Sequence, residues 1–378
     1  MKRLIAALLA FLLLLSLSAC GNKPQSDLAD ELPAAHHASE ATEAPASTDE
    51  PAPTEEPAPT EEPTPSEEPA PTEEPVSTEE SAPTEAPVEL GDQVPMMWKV
   101  TDAEGHELYL FGTIHVGDGR NKEVLFRVSQ VLDYCDALAV EFDIVAYQND
   151  MTAMMNDMMQ YVLTDGSVIS DYMPEELYQR SYDLLQQAGL FPSLFKSYNL
   201  AMWYQMVDSA AILVCGSLDA DLGMDNLLIQ HAYDCAIPVL DVESGTFQMS
   251  LLNSFDNELY LILIEESLDS LESYDEQLVE MYELWLSGEQ DSFWAMITGE
   301  EDSEEDAAAY TEEQIEMILD FNRKLLDERN LGMRDKALEY LASGKTVFFA
   351  VGAAHMANEA GLVQLLTDAG CTVERVDY

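Results

Sequence analysis

The chain has 378 residues, with 73 Asp and Glu against 16 Lys and Arg, for a formal net charge of −57. A field of that sign repels nucleic-acid phosphates and anionic head groups and concentrates cations, so nucleic-acid binding is excluded. The five cysteines are spaced too widely for a zinc ribbon or a C-x-x-C redox motif.

The first residues, MKRLIAALLAFLLLLSLSAC, read as a secretory signal: two basic residues, an apolar run, then small residues before a cysteine. Leu17-Ser18-Ala19-Cys20 has the pattern of a lipobox. The expectation is a lipoprotein signal peptide over 1–20, with Cys20 acylated as the new N-terminus and an extracytoplasmic protein tethered to a bacterial membrane by lipid. The run is short for a bilayer span. Residues 21–93 are dominated by Pro, Glu, Thr and Ala, with the near-repeat PAPTEEPAPTEEP. Prolines block helix and sheet ladders and paired glutamates repel, so this segment is expected to be a disordered, extended stalk. Residues 94–378 are long enough for one domain with its own core, and they keep a net charge of roughly −40.

Within that domain MMWKVTD and HELYLFGTIH read as two strands about a turn at Ala103-Glu104-Gly105. Val124, Leu125, Val128, Val131 and Leu132 recur at helical spacing, and residues 137–143 form a short apolar strand ending in acids. Strand, strand, helix, strand is the grammar of an α/β layer structure. A helix follows with Met151, Met154, Met155, Met158 and Met159 along a deformable apolar face. Further helices are expected over 174–189, 194–213 and 224–235, with a break at Gly189 and Pro192, then a strand over 237–244. Helical sequence runs on to about Ser343, interrupted by an acidic loop at 299–306 that lacks the spacing of a calcium loop. The chain closes with the strand of KTVFFAVGAAH, a helix and the strand TVERV. Cys135, Cys215, Cys235 and Cys371 are expected either as buried free thiols or as one or two bridges.

Two segments share one device. In YLFGTIH an apolar strand meets Gly112 and His115 follows three residues later; in VFFAVGAAH the same holds for Gly352 and His355. A glycine there allows a sharp turn at the carboxyl end of a strand, where open α/β sheets keep their ligands. Glu141 and Glu243 end apolar strands at the same edge, with Asp143 and Asp241 as back-up candidates. Two imidazoles and nearby carboxylates suit a divalent metal; the competing reading is two hydrogen-bonded structural histidines.

YLFGTIHVGD, LAVEFD, GMDNLLIQHAYDCAIPVLDVESGTFQ and the closing ERNLGMRDKALEYLASGKTVFFAVGAAH appear in the order seen in the TraB/PrgY/GumN family, which includes the membrane-tethered Tiki proteases. The chain resembles that family over nearly the whole domain after the stalk. The resemblance implies an α/β fold, a mixed sheet core flanked by helices with a large helical insertion, erythromycin-esterase-like. It maps the two G-x-x-H motifs onto Gly112/His115 and Gly352/His355. Glu141 takes the place of the acid after the second core strand, and Asp225 that of the acid in a G-x-D helix start. Glu243 and Gln248 match an L-E-x…Q segment, and Arg329-Asn330 an R-N pair. Two departures stand out: Asn358 where H-L-x-G would put glycine, and Asp241-Val242 before Glu243.

The expected function is hydrolysis of a peptide or protein substrate. His115, His355, Glu141 and Glu243 would hold a divalent Mn, Co or Zn ion, and whichever glutamate does not ligate would act as the base. Arg329 joins the catalytic set, and Arg120, five residues after His115, is either a substrate contact or an exposed arginine. There is no H-E-x-x-H helix and no G-x-S-x-G elbow. Capture of a peptide without cleavage, and hydrolysis of an ester, are the rival readings.

Overall fold

Six strands form one mixed sheet in the computed structural model, which describes residues 94–298 and 310–378. The signal segment with Cys20, the acidic stalk and the loop at 299–306 lie outside the described residues. The strands are β1 (Met97–Thr101), β2 (Glu107–Thr113), β3 (Ala137–Val140), β4 (Val239–Asp241), β5 (Val347–Gly352) and β6 (Thr372–Arg375), in spatial order β4-β3-β5-β2-β1-β6. Neighbours β4, β3, β5 and β2 run parallel, whereas β1 is antiparallel to both β2 and β6. The fold is therefore α/β with a mixed sheet.

The burial of each strand follows from its place. β3 and β5 are apolar and buried at every position, as expected of parallel strands covered on both faces. The edge strands β4 and β6 are short, with β4 half-buried and β6 largely exposed. β4 covers only three of the residues expected at 237–244, although the Val242 N–H still reaches Val140 O at 2.9 Å.

Parallel neighbours need crossover connections, and helices supply them. α1 (Arg120–Leu132) joins β2 to β3. Between β3 and β4 lie α2 (Ile144–Asn149), α3 (Met151–Met159), α4 (Glu175–Gln187), α5 (Leu200–Cys215) and α6 (Met224–Asp234). Between β4 and β5 come α7 (Gly245–Leu252), α8 (Asn257–Asp269), α9 (Leu271–Ser287), α10 (Gln290–Thr298), α11 (Glu312–Leu325) and α12 (Asp327–Ala342), and α13 (Leu362–Asp368) precedes β6. α5 is buried from Leu200 through Ile212 and packs against α4, α8 and α9, so it is the axis of the helical part. It starts later than the apolar pattern suggested: Asn199 caps it by accepting from Met202 N, after a short 3-10 turn at Pro192–Leu194.

α6 packs on β3 and β4, and α12 on β2 and β5. α9 is tied to the exit of β2. Trp285, fully buried, donates from Nε1 to Gly112 O at 2.8 Å, and Tyr282 donates to Asn121 Oδ1 at 2.9 Å. Cys135, Cys215, Cys235 and Cys371 are all free thiols. Among the described residues no helix is long and apolar enough to cross a membrane.

The methionine stripe is only partly covered: Met154 is half-buried and Met158 packs against the core. Met151, Met155 and Met159 are 59–63% exposed, whereas α3 is anchored through buried Asp157, which accepts from Tyr147, Gln160 and Thr246 side chains. A buried carboxylate with three donors fixes the helix in place.

Candidate functional site

The carboxyl ends of the four parallel strands deliver the candidate residues to one edge. Glu141 directly follows β3, Glu243 lies two residues after β4, His115 two after β2, and His355 three after β5 in a 3-10 turn. Gly112 does not turn the chain as its sequence context suggests. β2 continues through it to Thr113, and neither Gly112 nor Gly352 has a positive φ. Its role is close approach: a Cβ at Gly112 would lie 3.0 Å from Ala353 Cα and Cβ, so a side chain would push the turn that carries His355.

Each imidazole is held from outside the cluster. His115 Nδ1 donates to Asp225 Oδ2 at 2.7 Å, while Thr113 Oγ1 fixes the other carboxylate oxygen at 2.7 Å. Asp225 sits in the first turn of α6, and the approach of that helix depends on Gly223, where a Cβ would come within 2.4 Å of His115 O. His355, fully buried, donates from Nδ1 to Asn330 Oδ1 at 2.6 Å. The Asn330 amide is oriented by its Nδ2 bond to Ala360 O at 2.9 Å, so its oxygen is the group that faces the ring. Both histidines thus carry the Nδ1 proton and turn Nε2 to the other side.

The carboxylates are gathered by a buried cation. Arg329, on the first turn of α12, donates from Nη2 to Glu141 Oε2 at 2.5 Å and to Glu243 Oε2 at 2.7 Å, and from Nε to Glu243 Oε1 at 3.0 Å. Gln248 Nε2 donates to Oε2 of both glutamates at 2.9 Å. Glu141 Oε1 is differently placed. It accepts from Gly352 N at 3.0 Å and lies 3.7 Å from His355 Nε2. Neighbouring residues 329 and 330 therefore serve different partners, one the glutamate pair and one His355.

The environments push the ionisable groups apart. Burial opposes ionisation of Glu141, but Arg329, the two histidines and the Gly352 N–H outweigh it and hold the carboxyl well below its usual range. Burial and then the Arg329 charge push His355 down to about 3, which keeps it neutral at neutral pH. Burial also disfavours charge on His115, yet Asp225 overcomes it and the net shift is upward.

Arg120 is not brought to this cluster. Its guanidinium pairs with Asp118 and Glu283 and stacks over Tyr282 at 4.9 Å, which makes it neither an exposed arginine nor a group turned to His115. Of the back-up acids, Asp143 caps α2 by accepting from Ala146 N, and Asp241 Oδ1 accepts from Asp143 N at 2.7 Å.

The donor chemistry fits a divalent ion at three of the four expected ligands. His115 and His355 have the Nδ1 partners that metal-bound imidazoles use, and Glu141 keeps one oxygen out of the ion pair. Glu243 does not fit, because both of its oxygens accept from Arg329. Among the described residues, donor atoms within 4.8 Å of one another occur in one trio, Asp133, His231 and Cys235, which lies outside this cluster. The roles of Asp225 and Asn330 were not assigned by motif spacing alone. Their signal was present as the G-x-D helix start and the R-N pair, but only the fold shows which imidazole each one holds.

Asn358 shapes the turn after His355. Its φ is +59°, in the left-handed region, and after glycine asparagine tolerates that conformation best.

A model of the TraB/PrgY/gumN family matches residues 96–375. No curated protein and no solved structure matches the chain.

Proposed function

The chain belongs to the TraB/PrgY/gumN family, and from that premise we propose that it is a lipid-anchored, extracytoplasmic, metal-dependent hydrolase acting on peptide bonds. The observation that carries the proposal is the delivery of His115, His355 and Glu141 to one sheet edge, each fixed by a partner behind it, with His355 Nε2 3.7 Å from Glu141 Oε1. Lipid attachment at Cys20 and display on an acidic stalk are supported by the lipobox and the Pro/Glu/Thr repeat. The choice of a peptide bond rests on the resemblance to the tethered Tiki proteases.

His115, His355 and Glu141 would hold a Mn, Co or Zn ion. Such an ion lowers the pKa of a water and polarises a carbonyl oxygen. Asp225 and Asn330 accept the Nδ1 protons and so fix the tautomer and orientation of both rings. Arg329 and Gln248 orient the Glu141 carboxylate and hold it ionised. Glu141 Oε1 is the one oxygen of the two carboxylates that takes no hydrogen bond from Arg329 or Gln248, and we read it as the ligand atom. Glu243, paired with Arg329, is a poor base, and its part is to hold the guanidinium against Glu141.

A second reading is favoured by Arg329 itself. The pair of carboxylates already has a buried cation, and His115 with Asp225 has the arrangement of an acid–base dyad acting without metal. Incubating the full chain with a peptide library, with and without chelator, separates these readings. The proposal expects cleavage that is lost on chelation, restored by Mn, Co or Zn, and reduced at least about 100-fold in Glu141→Gln. Cleavage that survives chelation favours the dyad; peptides that bind and are released whole would make the protein a binder.

A further inference from the structure

A second donor cluster lies away from the glutamates. Asp133 ends α1, and His231 and Cys235 stand four residues apart at the end of α6. His231 Nε2 is 2.7 Å from Asp133 Oδ1 and 3.7 Å from Cys235 Sγ, and the three donor atoms all lie within 4.8 Å of one another. We propose that Asp133, His231 and Cys235 form a separate surface site for a thiophilic divalent ion of the Zn2+ class.

One imidazole nitrogen faces both other donors, so an ion placed between them meets nitrogen, oxygen and sulfur together. Zinc–ligand lengths of about 2.3 Å to sulfur and 2.0–2.1 Å to nitrogen in a tetrahedron put N and S about 3.6 Å apart. The His231–Cys235 separation already has that value, and Asp133 needs to open by only about half an ångström. Asp133 and Cys235 are exposed and His231 is half-buried, so an ion reaches the site from solvent with no rearrangement of the core. Three protein ligands leave a fourth position for water.

The donor set also differs from that of the sheet edge. A thiolate selects zinc-like ions over Mg, Ca and Mn, whereas imidazole and carboxylate alone discriminate less. The ion would replace the proton that His231 shares with Asp133 and release the thiol proton of Cys235 to solvent, so its affinity rises with pH. It would also fasten α1, which follows His115, to α6, which carries Asp225 at its other end. The strongly acidic surface raises the local concentration of the cation.

The test uses the metal-free full chain titrated with Co2+ as a spectroscopic probe, then with Zn2+. The expected result is a near-ultraviolet thiolate-to-cobalt absorption band that Zn2+ bleaches. The band should be absent from Cys235→Ser and weakened at least about 10-fold in affinity in Asp133→Asn. Cys235 is exposed, so its serine variant keeps the fold, and an unchanged circular dichroism spectrum checks this. A His115→Ala/His355→Ala chain should retain the band, which separates this site from the sheet-edge one. No thiolate band in the wild type, or a band that persists in Cys235→Ser, overturns the proposal.

Discussion

At the scale of single residues, Arg329 decides how the site holds together. It is 6% exposed and touches two carboxylates that are themselves nearly buried. Removing one partner of a buried ion cluster leaves uncompensated charge, and here two carboxylates would be left facing each other. Arg329→Met is expected to lower the stability by about 3–5 kcal/mol, measured by urea unfolding, and adding Glu243→Gln should recover part of the loss. An effect of Arg329→Met below about 1 kcal/mol would mean that the carboxylates are solvated and not paired as described. Sequence spacing made His115, His355 and Glu141 legible because strand ends in a parallel sheet share an edge. It could not show that Glu243 is occupied by an arginine 86 positions later in the chain, since that contact depends on how α12 packs. The same limit applies to Asp133, His231 and Cys235. The last two are visible as a helical i, i+4 pair, but Asp133 joins them only through the packing of α1 on α6.

At the scale of elements, α5 carries a cost that can be measured. Asp208 is 1% exposed in the middle of that helix, with the Tyr274 hydroxyl at 3.5 Å, and burial raises its pKa well above the usual aspartate value. Above the unfolded pKa the folded protein therefore holds a proton that the unfolded chain has lost, and stability falls as pH rises until the folded group ionises too. Asp208→Asn removes this dependence. The variant is expected to unfold at a higher temperature than the wild type at pH 7, with the gain shrinking toward pH 4. A constant difference across that range would show that Asp208 does not titrate differently on folding. Elements with strong periodicity, such as α1 and the buried β5, were readable directly from the sequence. The start of α5 was not, because residues 194–198 are apolar enough to continue a helix but the Asn199 cap begins it anew. The methionine face of α3 is split: Met158 packs against the core, Met151, Met155 and Met159 face solvent, and the buried anchor is Asp157.

At the scale of the whole molecule, the family match spans the described domain, and the α/β fold with its mixed sheet is the one implied by strand–helix alternation and by the resemblance. The acidic charge favours cations at both donor clusters without specifying either. The central claim is that the two G-x-x-H strands end at one ion together with Glu141. The measurement that tests it most directly is the metal content and Mn, Co and Zn affinity of the full chain beside His115→Ala and His355→Ala, each in a Cys235→Ser background and shown to be folded. One equivalent bound in the background protein and lost in both histidine variants is the predicted result. Equal binding in all three proteins, or none in any, would contradict the claim and leave the imidazoles as acid–base or structural groups.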